Sequence, residues 1–443
     1  MTQRPNILFM IADDHRHSAI GAFGNPTVQT PVLDQLAADG VSFSHTHILG
    51  GWNGAVCVTS RAALMTGVNP LAATAAKDGP LAQTIPSHLA LMPETFRQNG
   101  YRTFFSGKWH NDKAAFARCW AQGDTLFFGG MSDHDKVPLR PFDPSGIYPE
   151  DAVHIGKGFS TEMFSDSAIR FLHHYDDDAP FFAYVAFTSP HDPRTPPPPY
   201  DHMYRANAIP LPPNFLPEHP FDNGELHVRD EMLAGFPRQP AEVQQHLADY
   251  YGMISHMDFQ IGRILTALTE SGHADNTIVV YVADHGIAIG QHGLFGKQNV
   301  YDHSIRVPLI LRGPGLPTGQ RMDALNYSFD LFPTLCELTG IARPDTVESQ
   351  SLLPLIHGEP GRPSLFACYR DMQCAVTTDD WKLIRNARVP NRQGELVGTD
   401  RWQLFNLQDD PWETNDLADN PAHQTQKANL ETQLAEWSHR VNY

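Results

Sequence analysis

The chain has 443 residues, of which 41% are hydrophobic and 19% charged, proportions that fit a folded globular protein and exclude a disordered chain, a coiled coil or a collagen-like fibre. Its 32 basic and 50 acidic side chains leave a net charge of −18, which repels phosphate backbones and anionic bilayers, so neither nucleic acid nor membrane is expected as a partner. An anionic substrate remains compatible only with a local cluster of cations set against that field.

The first element is the apolar run NILFMIA (6–12), which ends in Asp13-Asp14 rather than at a small-residue cleavage site and so reads as a buried strand, not a signal peptide. No apolar stretch approaches the roughly 20 residues that span a bilayer. The five cysteines include no C-x-x-C pair, and their odd number fits a reducing compartment, so a cytoplasmic location is expected. TPVLDQLAADG (30–40) follows as a helix closed by Gly40, and CVTSRAALMTG (57–67) as another, opened by Cys57 after the Gly-rich GGWNGAV and stopped by Gly67. Further buried strands are expected at YRTFFSG (101–107), PFFAYVAF (180–187), TIVVYVA (277–283) and VPLILRG (307–313), with amphipathic helices between them. This alternation predicts an α/β fold with a large, mainly parallel sheet sandwiched by helices, and a substrate site at the carboxyl ends of the strands. Residues 190–240, with TPPPPY at 195–200, read as a rigid surface excursion. Beyond 350 the short strands SLFACYR, AVTTDDWKLIRN and RWQLFNLQ and a closing polar helix predict a small α+β subdomain over 351–443, after a catalytic domain over 1–350.

Two strand ends deliver ligand-type side chains, Asp13-Asp14 after the first and Asp284-His285 after TIVVYVA. A lone Asp pair would only cap a turn. The recurrence points instead to a hard divalent cation, Ca²⁺ or Mg²⁺, because crowded carboxylates without a cation repel one another. At the start of the helix from Cys57, backbone N–H groups and Arg61 one turn on favour an anion. Taken singly, His110 and His191 read as structural histidines and Lys108 and Lys297 as solvated charges. The other cysteines and His173-His174 read as core or surface.

The segment from Cys57 resembles the sulfatase signature, C-x-P-S-R followed by x-x-L-x-T-G, with Cys57, Ser60, Arg61, Leu64, Thr66 and Gly67 in register and Thr59 where the family has proline. PNILFMIADD (5–14), GKWH (107–110), TSPHDP (188–193), VADHG with Asp284 and His285, the Gly-Lys segment of Lys297 and QLFNLQDDPWETNDL (403–417) are similar to further family landmarks in the same order. After GKWH, Asn111-Asp112 stand where the family usually has Leu-Gly.

The resemblance implies an alkaline phosphatase-like fold and hydrolysis of sulfate monoesters. It implies that a maturase oxidises Cys57 to formylglycine, and that Asp13, Asp14, residue 57, Asp284 and His285 hold one divalent cation, Ca²⁺ before Mg²⁺. It further implies that Lys108 and Lys297 stabilise the sulfuryl charge, His191 or Lys297 protonates the leaving oxygen, His110 acts as base on residue 57, and Arg61 orients that residue. Trp52, Asn53, Trp109, Asn111, Asp112 and Arg194 flank these positions in sequence and would suit a sugar ring, so a carbohydrate sulfate is the expected substrate, with a small aryl or alkyl sulfate as the alternative. Rival readings are a phosphonate or phosphate ester hydrolase of the same superfamily, a non-catalytic sulfate-ester binder with Cys57 unconverted, and a thiol enzyme.

Overall fold

A computed structural model describes residues 4–77, 79–391 and 393–443. The Asn6–Ala12 strand is buried along its whole length. It pairs in parallel with Phe181–Ala186 on one edge and Thr277–Ala283 on the other. Ile7, Phe9 and Ile11 face one layer of helices, Val56–Thr66, Met92–Gln98 and Leu331–Thr339. Leu8, Met10 and Ala12 face the other, Ser160–His174 and the long Pro240–Glu270. With helices on both sides the strand has no wet face, which is why its sequence is continuously apolar rather than alternating.

The full sheet runs Gln320–Met322, Val41–His47, Arg306–Arg312, Thr277–Ala283, Asn6–Ala12, Phe181–Ala186, Arg102–Trp109, Gln122–Phe128, with Asn326–Tyr327 also on Val41–His47. Most pairs are parallel, but Arg306–Arg312 runs antiparallel to both its neighbours. After Ala283 the chain loops over the carboxyl end of the sheet and re-enters from that end. A parallel strand would need a crossover back to the opposite end. The sheet is therefore mixed.

A second sheet orders Arg401–Asn406, Trp381–Asn386, Gln373–Thr377, Leu365–Tyr369 and the two-residue strand Gly50–Gly51. The last helix, Gln424–Val441, closes it with Leu430, Leu434 and Val441 against Phe366, Val376 and Leu383. Gly50 takes φ +90°, and a Cβ there would lie 1.9 Å from the Cys368 carbonyl oxygen, so only glycine lets these strands meet. This small strand ties the C-terminal sheet to the segment that opens the Val56–Thr66 helix. All five cysteines are buried free thiols. Among the described residues no helix is long and apolar enough to cross a membrane.

Several histidines are buried as neutral rings. Burial pushes His134 and His219 down to about 4 and His292 to about 3. Their folded values lie below the ordinary 6.5, so the unfolded chain binds more protons once pH drops below 6.5. The stability they carry is complete above that pH and is lost as pH falls toward 4. Each costs about 2 kcal/mol at pH 5, and the thermal unfolding midpoint is expected to fall by several degrees between pH 7 and pH 5. A midpoint unchanged over that range would contradict this account.

Candidate active site

The first strand and its neighbour Thr277–Ala283 end level with each other, since Asp284 N donates to Ala12 O (3.1 Å). Asp13 and Asp284 are thereby side by side at the carboxyl edge of the sheet. Asp14 turns the chain with φ 67°, a left-handed conformation that aspartate tolerates. Arg102–Trp109, further along the sheet, carries Lys108 to the same edge, where Nζ pairs with Asp13 and donates to Gly130 O (2.6 Å). Lys297, in the loop after Thr277–Ala283, donates to Asp14 Oδ1 (2.8 Å).

The Val56–Thr66 helix is buried at every position. Ser60 Oγ donates to Asp284 O (2.5 Å) and Arg61 Nε to Asp284 Oδ2 (2.8 Å), so one turn of this helix is fixed to a strand end. Cys57 in its first turn lies 3.0 Å from His110 Nδ1. Thr59 Oγ1 donates to Gly50 O (2.8 Å) and Val56 O (3.0 Å), which ties the same turn to the second sheet. His191 lies with Nε2 3.9 Å from Asp14 Oδ2, its Nδ1 2.7 Å from Asp192 O. The residues expected to bind metal or take part in catalysis, Asp13, Asp14, Cys57, Arg61, Lys108, His110, His191, Asp284, His285 and Lys297, thus converge on one buried point.

That point suits a cation. Ligand atoms of Asp13, Cys57, Asp284 and His285 all lie within 4.8 Å of one another, as do those of Asp13, Asp14 and His191. Asp13 Oδ1, Asp14 Oδ2 and His285 Nε2 are buried without a hydrogen-bond partner, a costly state that a bound cation relieves. His285 Nδ1 is 3.0 Å from Gly286 O; with a proton donated there, Nε2 is the ring atom left to face a cation held among the carboxylates. Three carboxylates and one imidazole fit Ca²⁺ or Mg²⁺.

Electrostatics follow the same geometry. Burial alone would raise the Cys57 thiol, but His110 and Lys108 outweigh it and hold the thiol well below its ordinary value. Burial and the neighbouring Asp284 push Asp13 upward, yet Lys108, His191 and Arg61 keep it low. Burial opposes a charge on His285, and Asp284 overrides it, raising the imidazole to about 9. A cation bound at His285 must therefore displace a proton.

Above Cys57, His110, His191 and Lys297 opens a cavity of about 360 Å³. Its outer wall comprises Met131, Glu225, Arg229, Gln298, Tyr369 and Arg370. Glu225 accepts from Tyr369 Oη (3.0 Å) and Arg370 Nη1 (3.0 Å). Arg229 grips Asp192 with both Nη atoms (2.6 and 3.0 Å). Glu225 and Arg229 come from the Pro-rich excursion, Tyr369 and Arg370 from the end of the Leu365–Tyr369 strand and the turn after it, where Arg370 has φ 49°, Met131 from the loop after Gln122–Phe128 and Gln298 from that after Thr277–Ala283. The sequence signal, a non-Gly residue in a tight hairpin turn, is weak, and distance along the chain concealed them.

The six residues expected around a sugar ring are not in this wall. Trp52 stacks on Tyr443 (5.5 Å). Trp109 packs against Phe105 and Phe116 in the core. Asn53 accepts from Ala55 N, Asn111 donates to Val58 O, and Asp112 caps the Lys113–Cys119 helix through Ala115 N. Arg194 lies over Phe295 (5.9 Å). None of the six lines the cavity, so adjacency in sequence to a site residue did not carry these side chains into it.

A family model described as Sulfatase matches residues 5–341, and one described as N-sulphoglucosamine sulphohydrolase, C-terminal, matches residues 290–440. An N-acetylglucosamine-6-O-sulfatase of Bacteroides thetaiotaomicron is 26% identical over 94% of this chain and 83% of its own. An arylsulfatase of Clostridium perfringens is 29% identical over 80% and 78%. A solved structure described as a complex with its substrate D-glucosamine-2-N,6-O-disulfate superposes with a TM-score of 0.80 at 23% identity, covering 99% of this chain and 98% of that one. The phosphonate monoester hydrolase of Agrobacterium radiobacter gives 0.75 at 20% identity, over 99% and 96%. At these identities the two structures share the fold.

Proposed function

The chain belongs to the sulfatase family and is a sulfuric ester hydrolase, and we propose that its substrate is a carbohydrate sulfate, cleaved with residue 57 as formylglycine and one divalent cation. Ca²⁺ is favoured over Mg²⁺, held by Asp13, Asp14, residue 57, Asp284 and His285, and a formylglycine-generating maturase is the implied partner. The observation that carries this reading is the meeting of Cys57 with orphaned carboxylate and imidazole atoms and two buried lysines at one strand edge.

When bound, the cation supplies positive charge to a sulfate oxygen and makes a coordinated hydroxyl more acidic. As a hydrated aldehyde, residue 57 supplies one hydroxyl for attack on sulfur and a second whose deprotonation releases sulfate. The chain's own groups do the rest. Lys108 and Lys297 present ammonium groups to the non-bridging oxygens, where charge is held through the transfer. His191, at the cavity floor, is placed to protonate the departing alkoxide, and Lys297 is the alternative donor. His110 lies within hydrogen-bond reach of residue 57 (3.0 Å) and takes the proton from the second hydroxyl. Arg61, locked to Asp284, keeps the helix turn that bears residue 57 in register with the carboxylates.

A wall of Arg229, Arg370, Glu225 and Tyr369 offers hydrogen-bond donors and acceptors suited to sugar hydroxyls. Relatives named for N-acetylglucosamine 6-O-sulfate and for aryl sulfate support a sulfated ring as substrate. An Arg370→Ala variant is expected to raise KM for a sugar sulfate by at least about tenfold, since one charge-assisted hydrogen bond is worth about 1.5–3 kcal/mol. kcat on a small aryl sulfate, which does not reach the wall, is expected to stay unchanged. Equal KM values in both enzymes would remove Arg370 from recognition.

The reading is tested by matched aryl esters assayed on converted, metal-loaded protein. The three carboxylates already offset a dication, and the net −18 charge disfavours the more highly charged ligand. The sulfate monoester is therefore expected to give a higher kcat/KM than the phosphate monoester or the phosphonate ester. A clear preference for either phosphorus ester would replace this reading with that of a phosphonate or phosphate ester hydrolase.

A further inference from the structure

A second cavity, of about 220 Å³, lies behind the turn that follows the metal-type aspartates and shares no lining residue with the catalytic one. Arg16, His17, His303, Arg306, Arg321 and Trp412 form half of its wall, and the carboxylates Asp302 and Glu413 line it as well. Arg16 Nε, His17 Nε2 and both ring nitrogens of His303 lack a hydrogen-bond partner. These side chains are only 3%, 7% and 7% exposed. A buried polar group left unpaired costs about 1–3 kcal/mol, and several on one cavity mark a place where a ligand completes the set.

The charges show which ligand. Asp302 is held by Lys382 (2.8 Å) and Arg306 (3.5 Å), Glu413 by Lys382 (2.7 Å), and Asp323 by Arg321 (3.1 Å). No carboxylate pairs with Arg16 among the described residues, and its Nη1 reaches only Ile287 O at 3.5 Å. Burial, ahead of the nearby cations Arg306 for His17 and Arg16 for His303, holds both imidazoles well below their ordinary value, so they stay neutral. With Asp302 and Glu413 already ion-paired and Arg16 left without a carboxylate, the uncompensated charge is positive and attracts an anion.

We propose that this cavity binds a tetrahedral oxyanion, sulfate or phosphate, free or as the head group of a ring-bearing molecule, apart from the catalytic site. Its donors arrive from separate chain segments, the His17–Ala19 turn, the Asp302–Ile305 helix and the Arg306–Arg312 and Gln320–Met322 strands. Donors from several directions suit a tetrahedral group better than a planar carboxylate. Past Phe23 and Trp412 the cavity adjoins a groove of about 270 Å³ walled by Leu211, Pro212 and Tyr251, which accommodates a ring. Phe23 is stacked on His17 at 4.5 Å, linking the two spaces.

Selenate soaked into crystals of the full chain and located by anomalous diffraction is expected in this cavity as well as in the catalytic one. In solution, sulfate titration is expected to shift the His17 and His303 ring resonances. Arg321→Glu, at an exposed side chain, is expected to weaken that binding at least about tenfold and to leave kcat on an aryl sulfate unchanged. Phenylphosphonate binding more tightly here than inorganic phosphate assigns a ring-bearing ligand, and equal binding assigns the free ion. Selenate confined to the catalytic cavity, His17 and His303 resonances that stay fixed while His110 moves, or an Arg321→Glu affinity equal to wild type would each overturn the proposal.

Discussion

Replacing Cys57 with Ala is expected to lower kcat/KM for a sulfate ester by at least about four orders of magnitude, the scale seen when a catalytic nucleophile is deleted and only binding and charge stabilisation remain. The fold should tolerate the change. One buried sulfur is lost from a helix whose hold on the sheet comes from Ser60 and Arg61 on Asp284, so the thermal midpoint should fall by no more than the effect of about 1 kcal/mol. Peptide mass spectrometry of active wild-type protein is expected to find an aldehyde at residue 57. Cys57→Ser separates the chemistries further: its product is inactive if an aldehyde hydrate is needed, because a single hydroxyl leaves no second group from which His110 can expel sulfate. Full activity in Cys57→Ala would remove residue 57 from the reaction.

The second large effect concerns the carboxylates. An Asp13→Asn, Asp284→Asn double variant is expected to lose stoichiometric Ca²⁺ by elemental analysis and to lose at least about three orders of magnitude in activity. Two of the three anionic ligands become neutral, which leaves Lys108 and Arg61 without their carboxylates and only Asp14, paired with Lys297, still charged. Chelation of the wild type should also lower the unfolding midpoint, since a cation bound only by the folded chain stabilises it by mass action. Full metal content together with full activity in the double variant would show that the cation sits elsewhere.

Much of the fold was legible because strands covered on both faces must be continuously apolar, and Asn6–Ala12 and Thr277–Ala283 are. Their ends were legible too, because residues that follow such strands emerge together at one edge of a parallel sheet. The direction of Arg306–Arg312 was not, since an apolar run carries no information about which end of the sheet it enters from. Nor was the wall of the cavity. Arg229 and Glu225 lie in a stretch whose prolines announce a rigid path but not its destination, and Arg370 is brought over Cys57 by a sheet formed from the far end of the chain. Trp52 and Trp109 show the converse. Large aromatic rings beside catalytic residues are more often the packing that holds those residues still than the surface a substrate touches.

The two-residue strand at Gly50–Gly51 has a consequence for how the protein is made. It completes its pairing only when Leu365–Tyr369 exists, and until then the segment leading into Cys57 has no partner on that side. Once the sheet closes, the Val56–Thr66 helix is sealed at every residue, and the proposed maturase, if it acts on this segment, would have to reach Cys57 before that closure. Synthesis from the amino terminus therefore opens an interval in which residue 57 has left the ribosome while its eventual neighbour is still untranslated. On the proposed reading, translation speed across the intervening codons, rather than the affinity of the finished protein for a maturase, would set the fraction of molecules that emerge converted.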